Sequence, residues 1–228
     1  MRERGILFSP PMVRACLRAV DPKSQTRRLV TPQPDALMPV EGKNWAMREI
    51  EWPADGKYDI GYQAARGDGK LFQVIPCPHG VPGDRLWVRE GWAVHKAFDS
   101  RPGGKLSLDQ VEGVWYCADY DDHRPAPFGR YRSGRFMPRW ASRLLLDVVA
   151  VRVERLQQIS LDDCYAEGCA RPNPVRTGSV VTETDNARGW YLDLWDSLNA
   201  KRGAPWSSNP WVWVVEFKPV GPTPTASQ

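Results

Sequence analysis

The segment Arg143-Leu-Leu-Leu-Asp-Val-Val-Ala-Val-Arg-Val-Glu-Arg-Leu156 holds the richest run of aliphatic and β-branched residues in the chain. Apolar side chains recur at alternate positions over much of its length, which is typical of a strand with one buried face. The segment therefore predicts one strand, or two strands around a bend. The residues that carry this pattern are Leu144, Leu146, Val148, Ala150 and Val153.

A short helix is predicted directly after this segment. Ser160 fits the N-cap position, and Asp163 is an acid at the third helical position, a pattern that favours the start of a helix. Gly168 follows five residues later and is typical of a helix end, because glycine adopts the left-handed backbone that ends many helices. The main local prediction is therefore a strand that is followed by a short helix.

The other predicted elements are short and mostly extended. Pro82-Gly83-Asp84 indicates a turn that leads into an alternating strand with Leu86 and Val88 on one face. Several strands, few helices and the absence of a repeating strand–helix–strand order favour an α+β fold, with a small β-barrel decorated by helices. Strands are predicted at 6–8, 26–30, 85–90, 114–118 and 210–217, and helices at 10–20, with Pro10 and Pro11 in the first turn, and at 187–200.

Length and composition favour an ordinary globular protein. The chain has 228 residues, of which 42% are hydrophobic and 25% charged, enough for one well-buried core. It contains no apolar run near the roughly 20 residues that cross a bilayer, and no apolar signal segment at the N-terminus. We therefore expect a cytoplasmic protein without membrane contact.

The cysteine pattern does not predict a metal site. Five cysteines are scattered along the chain without a Cys-x-x-Cys pair, so neither a disulfide framework nor a zinc ribbon is expected. Cys77 and His79 are close neighbours, but two candidate ligands do not make a site. No metal and no cofactor are expected.

An arginine-rich segment predicts contact with nucleic acid. Residues 124–155 contain eight arginines and two acids, and aromatic residues are interleaved with these arginines. Arginine contacts phosphates, and aromatic rings stack on exposed bases. The alternative is a basic loop whose aromatic rings pack into the core. The candidate contacts are Arg130, Arg132, Arg135, Arg139 and Trp140, with Tyr131, Phe136 and Arg143 beside them.

Four segments follow one another along the chain: Lys23-Ser-Gln-Thr26-Arg27-Arg28, Gly83-Asp84-Arg-Leu-Trp-Val-Arg89, Leu144–Leu156 with Ala166-Glu167-Gly168, and Trp211-Val-Trp-Val-Val-Glu-Phe217. In this order they resemble the ASCH domain family of the PUA-like superfamily. The resemblance covers about half of the chain and implies a long member of the phage or prophage type, with one PUA-like barrel domain over 1–218. It also implies insertions around 32–80, 97–112, 119–135 and 170–186, and a disordered tail at 219–228.

The resemblance also implies a site. In small bacterial members that hydrolyse N4-acetylcytidine, a lysine, a threonine and a glutamate form the catalytic set, and these match Lys23, Thr26 and Glu167. The motif arginine matches Arg28, and Arg27 is a further candidate for substrate contact. Ser24 stands where the family has a threonine, which is a departure from the motif; it is also a candidate contact. By strand alternation, Thr26 and Arg28 are expected on one face.

These residue types form a chemically complete set for amide hydrolysis without metal. A threonine hydroxyl needs a base to remove its proton, and a lysine serves when burial or a cationic neighbour lowers its pKa. Glu167 is then the candidate proton donor to a leaving amine. The alternative is that each residue only serves strand, helix or surface.

Four functions stay open at this point. The first is binding of RNA, DNA or a modified nucleoside in a PUA-like pocket, and the second is hydrolysis of an N4-acylated cytidine or a related nucleoside. The third is a ribonuclease, and the fourth is a phage-encoded inhibitor of a host protein. Partners are therefore expected to be nucleic acid or a nucleoside. For a phage-encoded protein, the expected compartment is the host cytoplasm. The sequence leaves open whether the protein is an enzyme and what its oligomeric state is.

Overall fold

A computed structural model describes residues 1–33, 46–54, 57–65, 71–120, 126–171 and 183–220. Parts of the predicted insertions (34–45, 55–56, 66–70, 121–125 and 172–182), and residues 221–228 of the predicted tail, lie outside these ranges. The chain divides into two compact units, each assembled from separate segments. The first unit comprises Met1–Lys23, Gly83–Asp147 and Lys218–Gln228, and the second comprises Ser24–Pro82 and Val148–Phe217.

The described residues contain ten strands and three α-helices, joined by several short 3-10 turns. No described helix is long and apolar enough to cross a membrane. The strands are β1 (Glu3–Leu7), β2 (Gln25–Leu29), β3 (Ala46–Ala54), β4 (Lys57–Ala65), β5 (Leu71–Pro76), β6 (Arg85–Arg89), β7 (Trp92–Ala93), β8 (Trp115–Tyr116), β9 (Leu145–Arg155) and β10 (Trp211–Pro219). The helices are α1 (Pro10–Cys16), α2 (Leu161–Ala166) and α3 (Glu183–Asn199).

The largest sheet is mixed and has five strands in the order β1-β6-β9-β10-β2. β1 and β6 pair in parallel, whereas β6 pairs with β9, and β10 with β2, in antiparallel orientation. The prediction of a mixed α and β fold with few helices is confirmed. With β1 and β2 at its two edges, this sheet of described strands is open, and the expected PUA-like barrel is not confirmed.

Within the first unit, the predicted alternation of β6 is confirmed. Leu86 and Val88 are buried, while the flanking arginines are half-exposed. The helix α1 begins at Pro10, as expected from proline in a first turn, but ends at Cys16 rather than at residue 20. A hydrophobic cluster lies around β7 and the turns that follow it; its buried members are Trp92, Val94, Leu106, Val111, Met137 and Ala141.

Within the second unit, β2 and β10 pair so that Thr26 lies opposite Val215 and Arg28 opposite Trp213. The helices α2 and α3 pack on each other. The strands β3, β4 and β5 form an antiparallel sheet within the stretch 32–80 that the resemblance implied to be an insertion. The hydrophobic cluster of this unit includes Leu156, Ile159, Cys164, Tyr165, Tyr191, Trp195, Val212 and Val214.

The predicted start and end of α2 are confirmed. The Ser160 hydroxyl accepts the Asp163 N–H at 3.1 Å, and the Asp163 carboxylate accepts the Ser160 N–H at 3.0 Å, which together form a capping box. Gly168 has φ +106°, a left-handed conformation that glycine adopts without steric cost. This cap fixes Asp163 at the start of α2 and Glu167 at its end.

Replacing Ser160 with alanine is expected to lower the free energy of unfolding by about 1 kcal/mol, because the Asp163 N–H loses its acceptor. Ser9→Ala is the matched control, since Ser9 is the N-cap of α1 and makes no side-chain cap hydrogen bond. Urea unfolding of both variants measures the difference. Equal losses in the two variants would contradict the capping role.

Candidate functional site

The strand β2 carries most of the predicted site residues. Thr26 is completely buried, Arg27 is buried and Arg28 is half-buried. Burial lowers the pKa of Arg28, with the Arg202 charge adding to the effect, although Glu167 and Tyr191 oppose it. Arg28 is therefore not the exposed surface charge of the alternative interpretation.

Glu167 approaches this strand from the end of α2. Its backbone N–H donates to the Asp163 carbonyl at 2.8 Å, and its side chain is buried. Arg27 Nη1 lies 3.7 Å from Glu167 Oε1. The Ser24 N–H donates to the Ala166 carbonyl at 2.9 Å, which joins the start of β2 to α2. The resemblance implied that the glutamate and this strand share one site, and Glu167 lies beside Arg27 of the strand.

Arg27 is the centre of a buried ion-pair network rather than a solvent-facing contact. Its side chain is fully buried, and Nη2 lies 3.0 Å from both Glu154 Oε2 and Asp163 Oδ2. Burial alone would lower the pKa of Arg27, but the charges of Glu167, Tyr191, Asp163 and Glu154 outweigh it and raise that pKa. These carboxylates hold Arg27 in place, so its first role is to organise the site.

Asp163 links this network to the helix cap. Burial would raise the pKa of Asp163, but the Ser160 hydrogen bonds and the Arg27 charge outweigh it and lower the pKa to about 2. Asp163 also accepts from Arg152 at 3.0 Å. Asp163 is therefore ionised at neutral pH and pairs with two arginines, Arg27 and Arg152.

Tyr191, on α3, is a residue that the sequence interpretation missed. It is buried, and the guanidinium of Arg27 lies 6.0 Å from the centre of its ring. Burial and the negative charge of Glu167 raise the pKa of Tyr191 well above 10, so the phenol stays neutral at physiological pH. The available signal was its spacing four residues before Trp195, which places both residues on one helix face.

The Thr26 hydroxyl is not part of this ion-pair network. Its Oγ1 is buried and has no hydrogen-bond partner among the described residues. A buried hydroxyl without a partner costs about 1–3 kcal/mol of stability. Such an atom in a polar cluster is a candidate contact for a ligand.

Lys23 and Ser24 lie on either side of the boundary between the two units. Lys23 is completely buried, and its backbone N–H donates to the Ala15 carbonyl at 2.9 Å within the first unit. This burial excludes the alternative of a solvated surface lysine. Ser24 is exposed and belongs to the second unit with the other candidate residues.

The arginine-rich segment of the first unit divides into packed and exposed side chains. Arg132 is buried, and its guanidinium donates to the carbonyls of Arg101 at 2.7 Å and Phe98 at 2.6 Å. Arg139 pairs with Glu3 at 2.8 Å, and Trp140 Nε1 donates to the Leu106 carbonyl at 2.9 Å.

Trp140 therefore packs into the unit, as the alternative interpretation expects of the aromatic rings, and Arg132 is buried as well. Arg139 is exposed but paired with Glu3. Arg130 and Arg135 are exposed, together with the rings of Tyr131 and Phe136. Only this second group presents the arginine and aromatic chemistry that the sequence assigned to the whole segment.

Within the part of the chain that the structure describes, no group of three or more His, Cys, Asp and Glu side chains is placed to hold a metal ion. The site in the second unit is built from hydroxyl, guanidinium, carboxylate and phenol groups. No family model, no curated protein and no solved structure matches this chain in the comparisons with known proteins.

Proposed function

We propose that the second unit binds a nucleobase or nucleoside through Thr26, Arg28 and Glu167, in a pocket of the PUA-like kind that the ASCH resemblance implies. The observation that carries the proposal is the buried Thr26 hydroxyl, which has no hydrogen-bond partner among the described residues. A ligand that supplies one removes the cost of that buried polar atom.

The neighbouring groups complement the polar edge of a base. An arginine donates to carbonyl oxygens and ring nitrogens, a carboxylate accepts from an exocyclic amine, and a hydroxyl does either. Glu167 is buried beside Arg27. Glu167 and Tyr191 both act to raise the pKa of Arg28, against the effect of burial. Buried hydrogen-bonding groups of this kind reject an analogue that leaves one of them unpaired.

Binding is favoured over hydrolysis by the state of Thr26. A threonine nucleophile needs a general base within hydrogen-bond distance, and Thr26 Oγ1 has none among the described residues. Tyr191 is held protonated by its raised pKa, so its phenol does not act as that base near neutral pH. Amide hydrolysis of an N4-acylated cytidine is therefore the second candidate.

The test replaces Thr26 with valine, which removes the hydroxyl and keeps the shape of the side chain. Calorimetric titration with cytidine, N4-acetylcytidine, uridine, adenosine and guanosine is expected to show one preferred nucleoside. The variant is expected to bind it about tenfold more weakly, the loss of one buried hydrogen bond. Thr31→Val is the matched control, because Thr31 is exposed just beyond the same strand.

Two results would overturn the binding proposal. The first is the absence of binding to all five nucleosides at millimolar concentration. The second is release of cytidine from N4-acetylcytidine that is lost in Thr26→Val, which would establish the hydrolase instead. Thermal unfolding of each variant shows whether the loss is local to the site.

A further inference from the structure

A cavity of about 650 Å³ lies in the first unit, whereas Thr26, Arg28 and Glu167 belong to the second unit. Its volume is within the range of roughly 300–1,000 Å³ that is usual for sites of small ligands. Its walls come from residues 102–104 and 130–138, all within the described chain. Three arginines line it, and no aspartate or glutamate does.

Two aromatic rings at this cavity are largely exposed. Tyr131 is 58% exposed and Phe136 is 66% exposed, although both residues line the cavity. Exposed rings that cluster at a concave site indicate a binding surface rather than incomplete folding. Rings of this type stack on nucleic-acid bases.

The wall that carries these rings is held in place by backbone hydrogen bonds. Gly129 N–H donates to the Val94 carbonyl at 2.8 Å, and Arg132 and Trp92 exchange two backbone hydrogen bonds of 2.8 and 3.0 Å. The Arg132 guanidinium donates to the carbonyls of Phe98 and Arg101, just before the other wall. The site is therefore preorganised, which lowers the entropic cost of binding.

A close approach between the two walls supports the same conclusion. A Cβ atom added at Gly103 would lie 2.9 Å from the Phe136 carbonyl oxygen and 2.8 Å from the Trp92 ring. Glycine is thus the residue that lets residues 102–104 pack against the backbone of Phe136. The ring of Phe136 is presented to solvent by a packed backbone.

The positive charge at this surface is concentrated on two side chains. Arg139 is paired with Glu3, and Arg143 with Glu90 and Asp119. Arg130 and Arg135 are exposed and line the cavity. Asp99 accepts the backbone N–H of Arg130 at 2.8 Å but is not part of the lining.

We propose that this cavity binds a nucleotide unit, with a base stacked on Tyr131 or Phe136 and a phosphate held by Arg130 and Arg135. The same chemistry is presented by a free nucleotide and by a single strand of RNA or DNA. The inference does not depend on the nucleoside site of the second unit, because it uses other residues of another unit.

The test measures binding of the full chain to a fluorescent 12-nucleotide single strand, as RNA and as DNA, and to adenosine monophosphate. At least one of Tyr131→Leu and Phe136→Leu is expected to weaken binding about tenfold, because it removes the ring on which the base stacks. The double variant Arg130→Gln/Arg135→Gln is expected to reduce the slope of log affinity against log salt by about 1.4, for two phosphate contacts on a single strand.

The control variants replace residues of the same types at positions that do not line the cavity. Tyr120→Leu removes a tyrosine that is 45% exposed and outside the cavity, and Arg139→Gln removes an arginine that is paired with Glu3. Both are expected to bind as the parent protein does. Tyr131→Leu and Phe136→Leu leave Thr26, Arg28 and Glu167 unchanged, so failure at this cavity is distinguishable from failure at the nucleoside site of the second unit.

The outcomes separate the two sources of the ligand. Adenosine monophosphate that binds as tightly as the oligonucleotide assigns the cavity to a free nucleotide, whereas oligonucleotide binding at least tenfold tighter assigns it to a polymer. The proposal is overturned if neither probe binds at millimolar concentration, or if Tyr131→Leu and Phe136→Leu both bind normally.

Discussion

Replacement of Arg27 with methionine is expected to lower the free energy of unfolding by about 3–5 kcal/mol, the usual effect of removing one partner from a buried ion pair. Arg27 is fully buried and lies within 4 Å of Glu154, Asp163 and Glu167. The variant leaves three carboxylates close together without their central cation. Chemical denaturation at neutral pH measures the loss.

The pH dependence of this loss follows from Asp163. Its pKa in the folded protein is about 2, below the ordinary value of 3.8, so its contribution to stability is present above pH 4 and is lost as the pH falls toward 2. Arg27 supplies part of that lowering. The difference between the parent protein and Arg27→Met is therefore expected to narrow between pH 4 and pH 2.

Arg152→Met is the matched control for this prediction. Arg152 pairs with Asp163, Glu154 and Glu216, but its side chain is 33% exposed, so water screens its pairs. Its loss is expected to cost about 1 kcal/mol. Equal costs for the two arginines would contradict the central role of Arg27.

Replacement of Arg143 with methionine is expected to have an effect of similar size in the first unit. Arg143 donates to both carboxylate oxygens of Glu90, at 2.9 and 3.0 Å, and the Glu90 side chain is 1% exposed. Without Arg143, this buried carboxylate loses both hydrogen bonds. We expect a loss of about 3–5 kcal/mol in the free energy of unfolding.

The double variant Arg143→Met/Glu90→Met isolates the cause of this loss. It removes the buried charge together with its partner, so it is expected to recover most of the stability. Thermal and chemical unfolding of both single variants and the double variant give the coupling energy between the two side chains. A double variant as unstable as the sum of the single variants would contradict the ion-pair explanation.

The loss of unfolding free energy in the single variant Arg143→Met is expected to be smaller at acidic pH. Burial raises the pKa of Glu90 above 4.5, although the Arg143 hydrogen bond and charge act to lower it. A raised pKa in the folded state favours the protonated folded form, so stability falls as the pH rises from about 4.5 through the folded value. The deficit of Arg143→Met is therefore expected to grow with pH over that window.

The parts of the fold that the sequence predicted correctly depend on neighbours along the chain. The alternation of β6 and the start and end of α2 come from residues within a few positions of each other. The early end of α1 was missed because Leu17 and Val20, which follow it, keep the helical spacing of apolar residues, whereas the Leu17 N–H contacts the carbonyls of both Val13 and Arg14. Asp21 then takes a left-handed φ of +48°.

The parts that were missed depend on residues distant in sequence. The role of Arg27 comes from Glu154, Asp163 and Glu167, all more than 120 positions away, and no local pattern reveals such partners. Arg132 lies in the arginine and aromatic pattern that predicts contact with nucleic acid, yet it is buried and its guanidinium donates to two backbone carbonyls. The open sheet likewise follows from the pairing of distant strands.

The division of the chain into interleaved segments constrains how the protein is made. The chain passes from one unit to the other after Lys23, Pro82, Asp147 and Phe217, and the third of these passages falls inside β9. The Val220 N–H donates to the Leu145 carbonyl at 2.8 Å, so the first unit takes a hydrogen bond from the last residues described. A ribosome must synthesise nearly the whole chain before either unit has all its segments. Any cut of the gene into two contiguous halves leaves both units incomplete.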